Sequence, residues 1–182
     1  MAAERPKIVK KLRAFYEKWW AGVEPGINKF VPLIIGAKEE NPTILSSGFW
    51  EGGDANTQWT VAQGAGGGPK GGVWHVEVLK EGKYKLELSR WPFHLGRGMR
   101  VTGPDKTVGG GKLREGKAFP IMFGCVSLNN NAPVIVEAEP GAKSVIIEMG
   151  LKQGENIIQA FFKNKDRVDL CGAYYVRVSQ IL

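Results

Sequence analysis

Residues 73–90 read VWHVEVLKEGKYKLELSR, and this stretch decides the fold class. In its second half Tyr84, Leu86 and Leu88 alternate with Lys83, Lys85 and Glu87. A period of two puts the apolar side chains on one face of a strand and the charged ones on the other, so one face is wet. In its first half His75 shares a face with Glu77 and not with Trp74. Only Glu81-Gly82 separates the two runs, 73–80 and 83–90, a spacing that predicts a hairpin with a two-residue turn.

Outward from this stretch, apolar runs recur at 31–36, 43–50, 118–128, 134–139, 144–151, 156–163 and 170–178. The later runs are joined by NNNAP, PGAK, KQGE and NKDRVD, compositions that turn the chain. Roughly eight to ten short strands at this spacing predict a mainly β fold, an antiparallel two-sheet sandwich of jelly-roll type. Gly 25 and Pro 10 make up about a fifth of the 182 residues. Both residues disfavour helix interiors, which excludes a long-helix architecture, and the absence of a Gly-X-Y period excludes collagen. Residues 51–72 and 94–117 read as two long glycine-rich connections.

One helix is predicted, at 4–20. Ile8, Leu12, Phe15 and Trp19 recur at spacings of 4, 3 and 4, and Val9, Tyr16 and Trp20 widen the stripe. Pro6 suits a first turn; Gly22 reads as the stop, and Pro25 ends any continuation. The expected organisation is therefore an N-terminal helix over 1–24 and a β-sandwich over 25–182. No run of 18 apolar residues occurs, so no membrane span is expected. Residues 1–11 are charged and lack the apolar core of a signal peptide.

The net charge of +7 raises nucleic acid as a ligand. The position of the charge argues against it. Arg5, Lys7, Lys10, Lys11, Arg13 and Lys18 stand against Glu4 and Glu17, so residues 1–20 hold +4 of the total. That arrangement is a solvated helix face, whereas a nucleic-acid groove interleaves basic and aromatic residues. The stretch Gly64 to Gly72 leads into a strand, with no Ser or Thr after Lys70, so it is a surface loop and not a phosphate cradle. Cys125 and Cys171 lie in apolar runs and read as core thiols; two cysteines allow at most one bridge. With only His75 and His94 as imidazoles, no metal site is expected. His75 has no marked nucleophile, and nothing marks Glu77 and Glu87 as a glycosidase pair. The six tryptophans divide between core and ligand-facing roles. Trp59, among Asn56, Gln58 and Thr60, is the best placed to stack on a sugar, with Trp74, His75, Arg90 and Trp91 as the further candidate ligand-binding residues.

Four segments then resemble a known family: KKLRAFYEKWWAGVEP, VPLIIGAKEENPTILSSGFWEG, GGVWHVEVLKEGKYKLELSRWP and DLCGAYYVRV. Their order and spacing are similar to the C-terminal end of bacterial arylsulfatases. The matching positions are Tyr16, Trp19 and Trp20; Ile35, Gly36, Asn41 and Pro42; Gly82, Leu88, Arg90, Trp91 and Pro92; and 170–176. The resemblance implies a larger catalytic domain ahead of this chain, carrying the calcium site, the formylglycine and the catalytic Lys and His residues. The family's nucleophile stands in Cys/Ser-x-Pro-x-Arg, whereas Cys125 is followed by Val126-Ser127-Leu128 and Cys171 by Gly172-Ala173-Tyr174. No catalytic residue, metal or cofactor therefore carries over. The implied role is a noncatalytic accessory domain, packing on a sulfatase catalytic domain and shaping substrate access. Phe15, Tyr16, Trp19 and Trp20 would be its junction, or a self-association surface. The family's usual setting is periplasmic or secreted. The competing expectations are a carbohydrate-binding module for a sulfated or acidic glycan, and a freestanding enzyme with its polar groups in one cleft.

Overall fold

The structure is a computed structural model. It describes residues 4–27, 29, 31–53, 58–64, 70–103, 107–108, 111–112 and 116–181. The chain divides into two compact units, Met1–Val31 and Pro32–Leu182.

In the first unit α1 (Pro6–Val23) starts on its proline, at a position whose N–H would have no helical partner in any case. The helix runs through Gly22, where the sequence predicts a stop, and ends at a 3-10 turn over Glu24–Gly26 that contains Pro25. Glycine costs a helix only about 1 kcal/mol, whereas proline removes a donor and clashes with the preceding turn. No residue of α1 is buried, and Phe15 is 73% exposed. Tyr16 stacks on Trp20 and tilts against Trp19, with ring centroids 6.1 and 5.8 Å apart. These are the contacts that i, i+3 and i, i+4 spacings allow.

The second unit contains β1 (Leu33–Ile35), β2 (Thr43–Ser46), α2 (Gln58–Gln63), β3 (Trp74–Val78), β4 (Gly82–Ser89), β5 (Thr107–Val108) and β6 (Gly111–Lys112). It continues with β7 (Phe123–Leu128), β8 (Val134–Glu137), β9 (Val145–Leu151), β10 (Gly154–Lys163), β11 (Asp169–Gly172) and β12 (Tyr175–Gln180). One sheet runs β1-β3-β10-β7-β8, with β11 also on β10; the other runs β2-β12-β4-β9. β5 and β6 form a separate ribbon. All pairings are antiparallel except β1 on β3, which is parallel. The fold is thus a mainly β, two-sheet sandwich, and most connections carry the chain from one sheet to the other.

The sheet switching corrects two sequence expectations. β3 and β4 do not pair as a hairpin: β3 lies between β1 and β10, and β4 lies between β12 and β9. The chain arches from sheet to sheet over 79–81, where Tyr84 Oη donates a 2.6 Å hydrogen bond to the Lys80 carbonyl. The apolar faces of the two strands meet across the core instead of lying side by side. Likewise 170–178 is two strands. β11 pairs β10, β12 pairs β2 and β4, and the fully buried Ala173 and Tyr174 make the crossing between them. The connection 51–72 is not all loop either, since α2 lies within it and buries Val61 and Ala62.

The core is the interdigitation of the two inner faces: Trp74, Val76 and Val78 of β3 and Ile158, Ala160 and Phe162 of β10 against Leu86 and Leu88 of β4 and Val176 and Val178 of β12. Gly124 of β7 lets the sheets approach, because a Cβ there would lie 2.8 Å from the Val145 side chain. Trp50 lies with its ring centroid 5.4 Å from those of both Trp74 and Tyr174. It is walled by Gly71, Gly72 and Gly172, at each of which a Cβ would collide with its ring.

Candidate functional site

The outer face of the four-stranded sheet carries a cleft of about 130 Å³. Its floor comes from the wet positions of two neighbouring strands. Arg177 of β12 lies opposite Glu87 of β4, and Arg177 Nη1 donates a 2.9 Å hydrogen bond to Glu87 Oε2. Ser144, just before β9, donates to Glu87 Oε1 at 2.8 Å, so both carboxylate oxygens are engaged. The Arg177 guanidinium also lies 4.1 Å from the Phe93 ring centroid.

One wall is the segment after β4. Pro92 leads into a 3-10 turn over Phe93–Leu95, and Gly96 ends it in the left-handed region at φ +57°. That conformation suits glycine and delivers Arg97 to the cleft. Arg97 is fixed there by the Thr102 carbonyl, which accepts from Nη2 at 2.9 Å and from Nε at 3.2 Å. The opposite wall holds Lys143. The walls are tied by Met99 N–H donating to the Ala142 carbonyl at 3.0 Å, and the Met99 side chain is buried beneath. Among the described residues the cleft therefore brings together three cations and one carboxylate. Glu87 is held by Arg177 and Ser144; among the described residues Arg97 and Lys143 have no carboxylate partner.

Of the sequence-predicted ligand residues, Trp74, His75, Arg90 and Trp91 do not line this cleft. Trp74 is fully buried, and its Nε1–H donates to the Ser46 carbonyl at 2.8 Å. Arg90 is fully buried between the rings of Trp91 and Phe119, at 4.5 and 4.3 Å from their centroids. Arg90 Nη2 donates to the Ala62 carbonyl at 2.9 Å and Nη1 to that of Val101 at 3.3 Å. Burial holds this guanidinium below the usual arginine range. Trp91 is 4% exposed. The expectation that Trp74, Arg90 and Trp91 face a ligand is thus corrected: they are core, because segments distant in sequence close over them. His75 points outward from the six-stranded sheet, where its Nε2 meets the Glu51 carboxylate. Trp59 lies in α2, and its side chain is outside the described residues. Glu77 and Glu87 face outward from different sheets. Packed sheets are about 10 Å apart, which is beyond the separation of a glycosidase pair.

The two cysteines are free and buried. They flank β10 on opposite sides, Cys125 paired with Phe161 and Cys171 with Phe162. Two strand spacings of about 10 Å exceed the reach of a disulfide. Burial pushes the Cys125 thiol up to about 11 and that of Cys171 to about 12, which removes the nucleophilic thiolate. A buried thiol outside Cys/Ser-x-Pro-x-Arg does not fit the formylglycine of the resembled family. Among the described residues no group of three or more His, Cys, Asp or Glu side chains is placed to hold a metal ion. No described helix is long and apolar enough to cross a membrane.

The cleft residues were signalled only weakly by the sequence. Glu87 and Arg177 occupy wet positions in alternating strands, while Lys143 sits in the PGAK linker and Arg97 in the 94–117 connection. Nothing short of the sheet register and the Met99–Ala142 tie brings the four together.

No family model matches the chain, and no curated protein matches it. Among solved structures it is similar to the crystal structure of an exo-β-1,3-galactanase from Phanerochaete chrysosporium with galactose, at 15% identity and a TM-score of 0.38. The similarity covers 75% of this chain and 29% of that one, so the chain spans under a third of that protein's length.

Proposed function

We propose that the chain is a noncatalytic β-sandwich accessory domain of the kind found at the C-terminal end of bacterial arylsulfatases. The observation that carries the reading is where the resembling residues go. Trp50, from GFWEG, packs on Tyr174 and Gly172, from LCGAYY. Gly36 leaves room for the Tyr84 hydroxyl, and Arg90 and Trp91 are buried together. Segments far apart in sequence thus converge on one core, which supports an architectural role for the resembling residues. In such an enzyme α1, with its Tyr16–Trp19–Trp20 cluster, is the junction to the catalytic domain. The test is turnover of a chromogenic aryl sulfate by the purified chain. None above a heat-treated control is expected, and measurable turnover overturns the reading.

A second reading, binding of a sulfated or carboxylated glycan, is favoured by one feature. Among the described residues the cleft on the four-stranded sheet holds two more positive charges than negative, and such an excess attracts acidic ligands.

A further inference from the structure

We propose that the cleft between the 92–97 segment and Lys143 is an oxyanion subsite for an acidic glycan, with Arg97 and Lys143 gripping a sulfate or carboxylate borne on a sugar. This rests on the acidic-glycan reading and assigns it a place. Of the three cations, Arg177 is already engaged by Glu87. Glu87 in turn is engaged on one oxygen by Arg177 and on the other by Ser144, and its single charge is matched by Arg177. Arg97 is held in orientation by the Thr102 carbonyl, so little further freedom is lost when it pairs with a planar or tetrahedral oxyanion. Lys143 is exposed and supplies the second charge from the facing wall.

The size of the cleft sets the class of ligand. At about 130 Å³ it has room for roughly four water-sized groups, which accommodates a charged substituent and one edge of its ring. That is well below the roughly 300 Å³ at which pockets begin to enclose a drug-sized molecule. A charged substituent of a polymer running across the sheet fits; an enclosed free sugar does not. Nucleic acid fits poorly, because stacking needs open aromatic faces, and Phe93, the one aromatic ring among the described residues of the cleft, is covered on one side by Arg177.

The experiment is calorimetric titration of the full chain with dextran sulfate, polygalacturonate and uncharged dextran. Binding to dextran sulfate, to polygalacturonate or to both is expected, and none to dextran; the polymer that binds identifies the oxyanion. Lys143→Glu and Arg97→Gln are each expected to weaken binding about tenfold or more, the worth of a charge-assisted hydrogen bond. Lys143→Glu alters an exposed side chain, so its fold is retained. The helix variant Lys10→Glu/Lys11→Glu is the control for diffuse attraction and is expected to stay within about threefold of the parent, the scale of surface charge effects. If the cleft variants bind like the parent and the helix variant does not, the subsite is overturned while the acidic-glycan reading stands. If the parent binds neither charged polymer, the acidic-glycan reading itself is overturned.

Discussion

Trp50 illustrates how much of this molecule is decided one residue at a time. Its indole occupies space that side chains at Gly71, Gly72 or Gly172 would take, so some of the glycine excess in the sequence serves packing and not only turns. Gly172→Ala is expected to destabilise the fold by about 1–3 kcal/mol through overpacking. Gly150→Ala, where nothing lies within 4 Å of the added methyl, is expected to stay within about 0.5 kcal/mol; urea denaturation compares the two. The thiols make a second prediction. An unfolded cysteine ionises near pH 8.5, by the usual value of about 8.5, whereas burial holds Cys125 to about 11 and Cys171 to about 12. Above the unfolded value the denatured chain releases protons that the native chain keeps, so stability is full below that pH and falls as pH rises toward 11. Burial also raises Tyr84, Tyr174 and Tyr175, in the same direction. The urea midpoint is expected to drop between pH 8 and pH 10, about where thiols begin to ionise, and a thiol reagent should label neither cysteine until denaturant is added. The sequence reading of both cysteines as core thiols was sound because their immediate neighbours, Gly124 and Val126, and Leu170 and Gly172, carry no polar side chain. The tryptophans were not legible in that way: the same residue suits a core or a sugar platform, and the segments that cover Trp74 and Trp91 are distant in the chain.

At the scale of elements, alternation reveals strands and says nothing about which sheet they join. Residues 73–90 carry a period of two on both sides of Glu81-Gly82, and a hairpin and an arch between sheets satisfy it equally. What separates them is where the inner faces find partners, and that is set by β10 and β12, far along the chain. The arch depends on a local contact that a hairpin would not need, the Tyr84 hydroxyl closing onto the Lys80 carbonyl at 2.6 Å. Tyr84→Phe is accordingly expected to cost about 1–3 kcal/mol, because the carbonyl is left without its donor; thermal or urea unfolding measures it. The helix is the opposite case. Its periodicity and first turn were readable from sequence, and only its end differed, since one glycine is a weak stop. Gly22 lies inside α1 with nothing within 4 Å of an added Cβ. Gly22→Ala is therefore expected to strengthen the helix by up to about 1 kcal/mol, seen as a gain in helical circular dichroism.

For the whole molecule, the residues that mark the resemblance and the residues that form the cleft share only Pro92 among the described residues. In the second unit Ile35, Leu88, Arg90, Trp91, Cys171, Ala173, Tyr174 and Val176 are buried, while Asn41 and Pro42, like Tyr16, Trp19 and Trp20 of α1, are exposed; the cleft residues lie on the wet face of one sheet and on two loops beside it. A strong motif with a buried destination specifies architecture, and this is why the mainly β sandwich could be read from the sequence while the candidate site could not. Surface charges at alternating positions look alike until the register sets Arg177 against Glu87 and a backbone hydrogen bond brings Arg97 and Lys143 to opposite walls. That the buried members of the resembling set hold the core together is tested at Arg90, which lies between the Trp91 and Phe119 rings. The measurement is the urea-denaturation midpoint of Arg90→Ala. Loss of its ring contacts and of its bonds to Ala62 and Val101 predicts a destabilisation of about 2–5 kcal/mol. A midpoint equal to that of the parent chain would mean that this arginine does not support the core, and would contradict the account.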